Sequence, residues 1–380
     1  ITTVPMSLKY LLGGQLSFMK ANGFDVLAVS ADGKEREAIL EEGINHIIIP
    51  FTRKITPIQD LKCLIQLIRL FRKAQPNIVH THTPKAGLLG MMAARICGVT
   101  IRMHTVAGLP VMEATGLKRW ILMMTEKITY ACATRVYPNS EGLREYIVNQ
   151  LAISNKQLTI IGKGSSNGID TAFFSKSPEL LAQAGQIRLR YGIPEDAVVF
   201  GFVGRVVRDK GMHELVQAFR NIRKQHAHVY LVVVGPLEPD LDPLDPEDLQ
   251  YLQTDSHVFM AGFQRDVRPW LLASDVFVFP SYREGFPNVV MQACCLEVPC
   301  IVSDINGCNE IIRHGSTGLI VKPKDAEVLE KAMLHLVNDP ELRKAFTRKA
   351  REFVVTNYDQ RLVWKELAAE YVRQLAMSNE

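Results

Sequence analysis

Short apolar runs alternate along the chain with longer stretches whose apolar residues recur at helical spacing. Residues 24–30 (FDVLAVS), 45–50 (NHIIIP) and 77–82 (NIVHTH) read as buried strands, and Gly13–Asn22, Glu35–Glu42 and Ile58–Lys73 as amphipathic helices. Further strands are predicted at 100–105, 134–137 and 158–161, and the opening Ile1–Pro5 reads as the tail of a strand. A second alternation starts near residue 198. It predicts strands at 198–204, 228–234, 257–260, 276–280, 299–302 and 318–321, with helices at Met212–Gln225, Val289–Leu296 and Ala326–Asn338 and a last helix at about Gln360–Ser378. A β-α-β rhythm implies a parallel sheet with helices on both faces. Because the rhythm runs twice, the expected fold class is α/β, with two doubly wound, Rossmann-like domains facing a cleft and a linker at about 165–180. Such sheets bind ligands beyond the carboxyl ends of their strands, at the topological switch point.

Composition adds limits. A length of 380 residues fits two domains. With 47% hydrophobic and 22% charged residues, the chain is an ordinary globular one, which excludes disorder, a coiled coil and a disulfide-stapled miniprotein. Charge is uneven: residues 1–170 carry a net +8 and residues 171–380 a net −4. The first half is therefore expected to face something anionic. Seven scattered cysteines without a C-x-x-C pair point to a reducing compartment. No uncharged apolar run approaches the length of a spanning helix, and no signal peptide is visible. The first residue is not methionine, so an upstream piece is expected to have been removed.

Two segments carry candidate chemistry. Gly204-Arg205-Val206-Val207-Arg208-Asp209-Lys210-Gly211 follows a predicted strand and precedes a helix. Arg205 and Lys210 beside a helix N-terminus suit a diphosphate, although a solvated strand–helix loop has the same look. The run from Pro280 to Ala293 (PSYREGFPNVVMQA) places Glu284 and a Gly-containing turn between a strand and a helix start. A carboxylate there can hold sugar hydroxyls, and amides from Gly285 to Val289 can face phosphate oxygens. The alternative is a turn punctuated by Gly and Pro.

Together these segments resemble the retaining glycosyltransferases of family 4, which have the glycosyltransferase-B fold. The likeness rests on G-R-x-x-x-x-K-G (204–211), SDVFVFPSYREGFP (274–287) and NEIIRHGSTGLIV (309–321). In the first half it rests on Gly13-Gly14, His80-Thr81-His82 and Ser166-Asn167-Gly168-Ile169-Asp170. The resemblance implies that Arg205 and Lys210 grip the donor diphosphate. It implies that Glu284, the first acid of an E-x7-E motif, holds sugar hydroxyls, with Gly285, Phe286 and Pro287 around the sugar and the amides of Asn288 and Val289 on phosphate. The second acid of that motif is replaced by Gln292, a weaker acceptor for ribose hydroxyls than a carboxylate. Gly13-Gly14 is expected after the first strand, under the donor phosphate. His104 is expected at a strand end, reaching the transferred sugar. Lys85 is expected to meet an acceptor phosphate together with His82. His80 and His82 are expected on opposite faces of their strand, and no zinc site is expected there.

The segments 80–95 and 104–119 look most like bacterial enzymes that build capsule, O-antigen or lipid-linked oligosaccharide. Basic, apolar stretches at 53–73 and 116–124 match either an anionic membrane surface or ordinary core-facing helices. The expected protein is thus a retaining glycosyltransferase of the cytoplasm, peripheral at the inner face of the membrane. It would move an N-acetylhexosamine or hexose from a UDP-sugar to a polyprenyl-diphosphate-linked glycan. The expected domains are 1–172 plus 358–380 for the acceptor and 173–357 for the donor. No cofactor, essential metal or nucleic acid is expected, and Asp240-Leu241-Asp242 is read as a solvated loop. The alternatives are a non-catalytic nucleotide-sugar-binding subunit, which Gln292 motivates, and a UDP-sugar epimerase of the same fold. An NAD enzyme is disfavoured because no G-x-G-x-x-G follows an early strand.

Overall fold

The computed structural model describes residues 1–112, 114–240 and 242–378. The middle residue of Asp240-Leu241-Asp242, Glu113 of the 104–119 segment and the last two residues of the expected 358–380 segment lie outside the described residues. The chain forms two compact units, one of residues 1–168 with the chain from Gln360 onward, the other of Ile169–Asp359.

The second unit holds a six-stranded sheet. Its strands, which follow the five of the first unit in the chain, are β6 (Val198–Val203), β7 (Val229–Val234), β8 (Val258–Gly262), β9 (Val276–Phe279), β10 (Cys300–Ser303) and β11 (Gly318–Val321). Their spatial order is β11-β10-β9-β6-β7-β8, and every pair is parallel. A parallel sheet covered on both faces buries both sides of its central strands, which is why β9 reads Val-Phe-Val-Phe and all four residues are buried. Helix Met212–Gln225 packs Met212, Leu215, Val216, Phe219 and Ile222 into the core, the spacing of one helical face.

In the first unit β1 (Leu27–Ser30) pairs with β2 (Asn45–Ile48), and β3 (Ile78–Thr81), β4 (Ile101–Val106) and β5 (Arg135–Pro138) form a parallel trio. Ile1–Thr3 joins the two sets. The Thr2 amide donates to the Val29 carbonyl (3.0 Å), and the His82 amide donates to the Ile1 carbonyl (3.1 Å). Pro5 then starts helix Pro5–Leu11 at once, its fixed φ suited to the first turn. The helix expected from Gly13 therefore begins at Gln15, because Gly14, at φ 74°, separates Pro5–Leu11 from Gln15–Ala21. The strand expected at 158–161 reduces to one bridge, Leu158 to Val136. A 3-10 turn at Asn155–Gln157 delivers the chain there, and Gly162 (φ 56°) turns it away.

Helix Gln360–Ser378 belongs to the first unit. Its Trp364 indole donates to Asn167 Oδ1 (2.6 Å), and its Glu370 carboxylate accepts from the Tyr137 hydroxyl (2.7 Å). Among the described residues no helix is long and apolar enough to cross a membrane.

Candidate active site

In the second sheet the chain runs outward from β6 through β7 to β8, then returns to β9 and runs the other way to β11. The loops after β6 and β9 therefore diverge at the switch point, and they carry the two segments singled out above. Glycines let the backbones close up here. A Cβ on Gly235 would stand 1.7 Å from the Gly204 carbonyl oxygen. One on Gly211, which has φ 71°, would stand 2.0 Å from the Pro280 carbonyl oxygen. Residues 204–211 and 280–287 thereby form one surface.

Each cation of the first loop faces a carboxylate. Lys210 Nζ donates to Glu284 Oε1 at 2.5 Å, and Arg205 Nη1 to Glu238 Oε2 at 3.2 Å. The Lys210–Glu284 pair is the more enclosed, with about a sixth or less of either side chain exposed. Ser281 Oγ also donates to Glu284 Oε1 (3.0 Å), and the Asn306 side-chain amide donates to the Glu284 peptide carbonyl. Phe286 is buried with its ring 5.0 Å from that of Tyr358. Pro287 caps helix Asn288–Cys295, so the amides of Asn288 and Val289 lie in the first turn, where intrahelical acceptors are lacking. Gln292, four residues beyond Asn288, shares its face of the helix.

Asp209 ties the loops together in a way that spacing alone does not show. Its carboxylate accepts from Arg283 Nη2 (3.0 Å), and its carbonyl accepts from the Tyr282 amide (2.9 Å). Its own amide donates to Asp242 Oδ2 (2.7 Å). Asp242 is thus a brace beneath the cationic loop and not merely a solvated loop residue. The Tyr282 hydroxyl donates to Glu214 (2.6 Å), and burial pushes that phenol above its usual range. Next to the brace, His213, Asp245 and Asp248 bring potential metal-ligating atoms within 4.8 Å of one another. They are satisfied by side chains: His213 Nδ1 lies 2.6 Å from Asp248, and Arg208 donates to Asp245 (2.9 Å).

The first unit corrects several expectations. Gly13-Gly14 does not follow the first strand; Pro5–Leu11 intervenes, and a Cβ on Gly14 would meet the Trp364 ring at 2.6 Å. The link at that strand's end is Thr3–Val4, directly before helix Pro5–Leu11. His104 lies within β4, short of its end, and is 2% exposed. Its Nδ1 lies 2.7 Å from Thr81 Oγ1, and a Cβ on Gly87 would come within 2.4 Å of the ring. Burial lowers its pKa to about 4. It is an interior, neutral histidine. His80 and His82 share a face, as residues two apart on a strand must, with ring centroids 4.1 Å apart. His82 is 6% exposed, and burial pulls its pKa well below the usual value. The Lys85 ammonium, expected at an acceptor phosphate, is held by Asp60 (2.7 Å), Thr52 (3.0 Å) and the Lys54 carbonyl. His82 and Lys85 nevertheless flank the start of helix Pro84–Ile96, beyond β3 and beside Thr3, whose amide donates to Thr83 Oγ1 (2.9 Å).

The sequence model described as "Glycosyl transferases group 1" matches residues 184–353, and that described as "Glycosyl transferase 4-like" matches residues 8–140. The chain is 36% identical over 371 residues to the capsular polysaccharide biosynthesis glycosyltransferase CapM of Staphylococcus aureus, covering 98% of this chain and 95% of the relative. It is 28% identical over 351 residues to the UDP-Gal:alpha-D-GlcNAc-diphosphoundecaprenol alpha-1,3-galactosyltransferase of Escherichia coli, covering 88% and 86%. A solved glycosyltransferase from Rickettsia africae ESF-5 superposes with a TM-score of 0.80 at 18% identity, covering 99% of this chain and 97% of that one. Two Rossmann-like units with these matches define the glycosyltransferase-B fold. The chain belongs to the group 1 glycosyltransferases.

Proposed function

We propose that this glycosyltransferase moves a hexose or N-acetylhexosamine, with retention, from a UDP-sugar to a polyprenyl-diphosphate-linked glycan in bacterial surface-polysaccharide synthesis. The observation that carries this reading is the meeting of Lys210 and Glu284 at the switch point of the second sheet, with Arg205 on the same loop as Lys210. The Escherichia coli relative, whose name gives a UDP-sugar donor and a diphosphoundecaprenol acceptor, supports the substrate classes. In this reading the second unit takes the donor and the first unit the acceptor, at the inner face of the cytoplasmic membrane.

The bond from the anomeric carbon to the diphosphate breaks as negative charge grows on the leaving oxygen. Arg205 and Lys210 supply positive charge there, the largest electrostatic lever a protein has on such a step. The acceptor oxygen attacks from the same face, and its proton passes to an oxygen of the leaving phosphate. Glu284, fixed by Ser281 and Lys210, accepts from sugar hydroxyls, and the Asn288 and Val289 amides donate to phosphate. With two cations placed on the diphosphate, the proposed reaction needs no metal.

The test is release of nucleoside diphosphate from a panel of nucleotide sugars, with and without a polyprenyl-diphosphate glycan. Acceptor-dependent release of UDP from one donor, insensitive to EDTA, supports the reading. UDP binding with no turnover for any donor would favour a non-catalytic subunit, the second reading, which rests on Gln292.

A further inference from the structure

His213, Asp245 and Asp248 come from two helices that start side by side. His213 lies in the first turn of helix Met212–Gln225, and Asp248 in the first turn of helix Pro246–Thr254. Asp245 is the N-cap of the second helix. A carboxylate there ordinarily accepts from its own helix amides, but the Asp245 side chain makes no such bond. It turns instead toward Arg208, which holds its Oδ1 at 2.9 Å, and toward His213, whose Nδ1 lies 3.9 Å from its Oδ2. That separation is too long for a hydrogen bond. It suits two ligands of one ion, since Zn–N and Zn–O bonds of about 2.0–2.2 Å leave ligand atoms about 3–4 Å apart. Asp248, with 7% of its side chain exposed, faces the same nitrogen at 2.6 Å.

The atoms that face away from the centre are also held. The imidazole Nε2 lies 2.8 Å from the Gln217 side-chain amide, one turn along the helix. That amide can donate to Nε2 or, turned over, accept from it, so it can fix the ring with a proton or with a metal on Nδ1. We infer that His213, Asp245 and Asp248 form a binding site for a divalent transition-metal ion, Zn²⁺ foremost. The ion replaces the proton between His213 and Asp248, which passes to solvent, and half-exposed Asp245 turns inward to complete the triangle. Two carboxylates balance its charge against Arg208 and the positive ends of both helices. One imidazole and two carboxylates suit Zn²⁺ better than Ca²⁺ or Mg²⁺, which take all-oxygen shells of six or more. The bound ion would pin helix Pro246–Thr254 to helix Met212–Gln225 behind the Asp242 brace. It takes no part in sugar transfer, and the inference does not rest on the proposed reaction.

The experiment titrates the whole chain, stripped with EDTA and kept reduced, with Zn²⁺ by calorimetry and with Co²⁺ by visible absorption. The expected result is one ion per chain, with cobalt bands that lack a sulfur charge-transfer component and so exclude the cysteines. Zn²⁺ should raise the thermal midpoint by about 2 °C or more. His213→Gln and Asp245→Asn should each weaken binding at least about ten-fold. Asn is as good an N-cap as Asp, so Asp245→Asn reports on the site even if His213→Gln fails to fold. No Zn²⁺ binding by the unaltered chain, a sulfur charge-transfer band, or undiminished affinity in Asp245→Asn overturns the inference and leaves these residues as a network of ion pairs. Zn²⁺ bound at this site by a chain that turns over no donor would sink the transferase reading and leave the metal site standing.

Discussion

Lys210 and Glu284, separated by 74 positions, meet at 2.5 Å where the loops after β6 and β9 part. The contact makes the cationic loop and the carboxylate loop one site. In the proposed reaction, Lys210→Ala removes charge from the leaving diphosphate. We expect kcat/KM to fall about 100-fold or more, the loss typical of a preorganised charge or donor. Steady-state kinetics with the active donor measure it. The double variant Lys210→Ala/Glu284→Gln should be no better, because neutralising the half-buried carboxylate left without Lys210 restores the fold and not the charge. Near-normal rates for Lys210→Ala would end the diphosphate assignment.

Gly211 carries the close approach of the two loops. An alanine there would put its Cβ on the Pro280 carbonyl at a left-handed φ. Such strain costs of order 1–3 kcal/mol. Gly211→Ala should therefore lower the thermal midpoint by several degrees and weaken UDP binding more than ten-fold. Calorimetry and equilibrium titration report the two effects separately, and a variant with normal affinity would contradict the shared surface.

Gln292 shares a helix face with Asn288, above the proposed phosphate-binding turn. Gln292→Glu restores a charge-assisted acceptor for ribose hydroxyls. We expect the dissociation constant for UDP to fall several-fold while that for inorganic diphosphate, which has no ribose, does not fall. An unchanged UDP affinity would place Gln292 away from the ribose.

Two buried groups of the first unit set opposite pH dependences. His104, lowered by burial to about 4 from an ordinary 6.5, is neutral in the fold. Its contribution to stability is full above pH 6.5 and is lost as pH falls toward 4. Glu126, raised by burial to about 7, holds its proton more tightly in the fold. Stability from that group is greatest below its ordinary pKa of 4.5 and declines as pH rises toward 7. Glu126→Gln should therefore stabilise the protein at pH 8, by about 1–3 kcal/mol, and by much less near pH 5. Thermal midpoints across that range test the sign; a gain that is equal at both ends would show that Glu126 is not held protonated.

Periodicity alone shows the alternating β-α order of both units, because apolar repeat lengths are local properties of the chain. The strands of the second unit were legible for that reason, and so were the Gly-bounded loops after β6 and β9. What periodicity cannot show is where a polar side chain ends up. His104 reads as a strand-end ligand, yet the sheet register and the missing Cβ of Gly87 enclose it. Lys85 reads as a free cation until the 52–60 segment folds over it. Asp242 reads as a solvated loop residue until its carboxylate finds the Asp209 amide.

The sequence by itself determined the fold class, the two-fold repetition and the candidate chemistry of Arg205, Lys210 and Glu284, because short-range spacing and residue type suffice for these. Tertiary structure alone decided which charges are paired, which histidines are sealed in the core and which apolar helix faces stay uncovered. Those depend on contacts between distant parts of the chain. Trp364 closing on Gly14 and Asn167 is one such contact, and no local pattern encodes it.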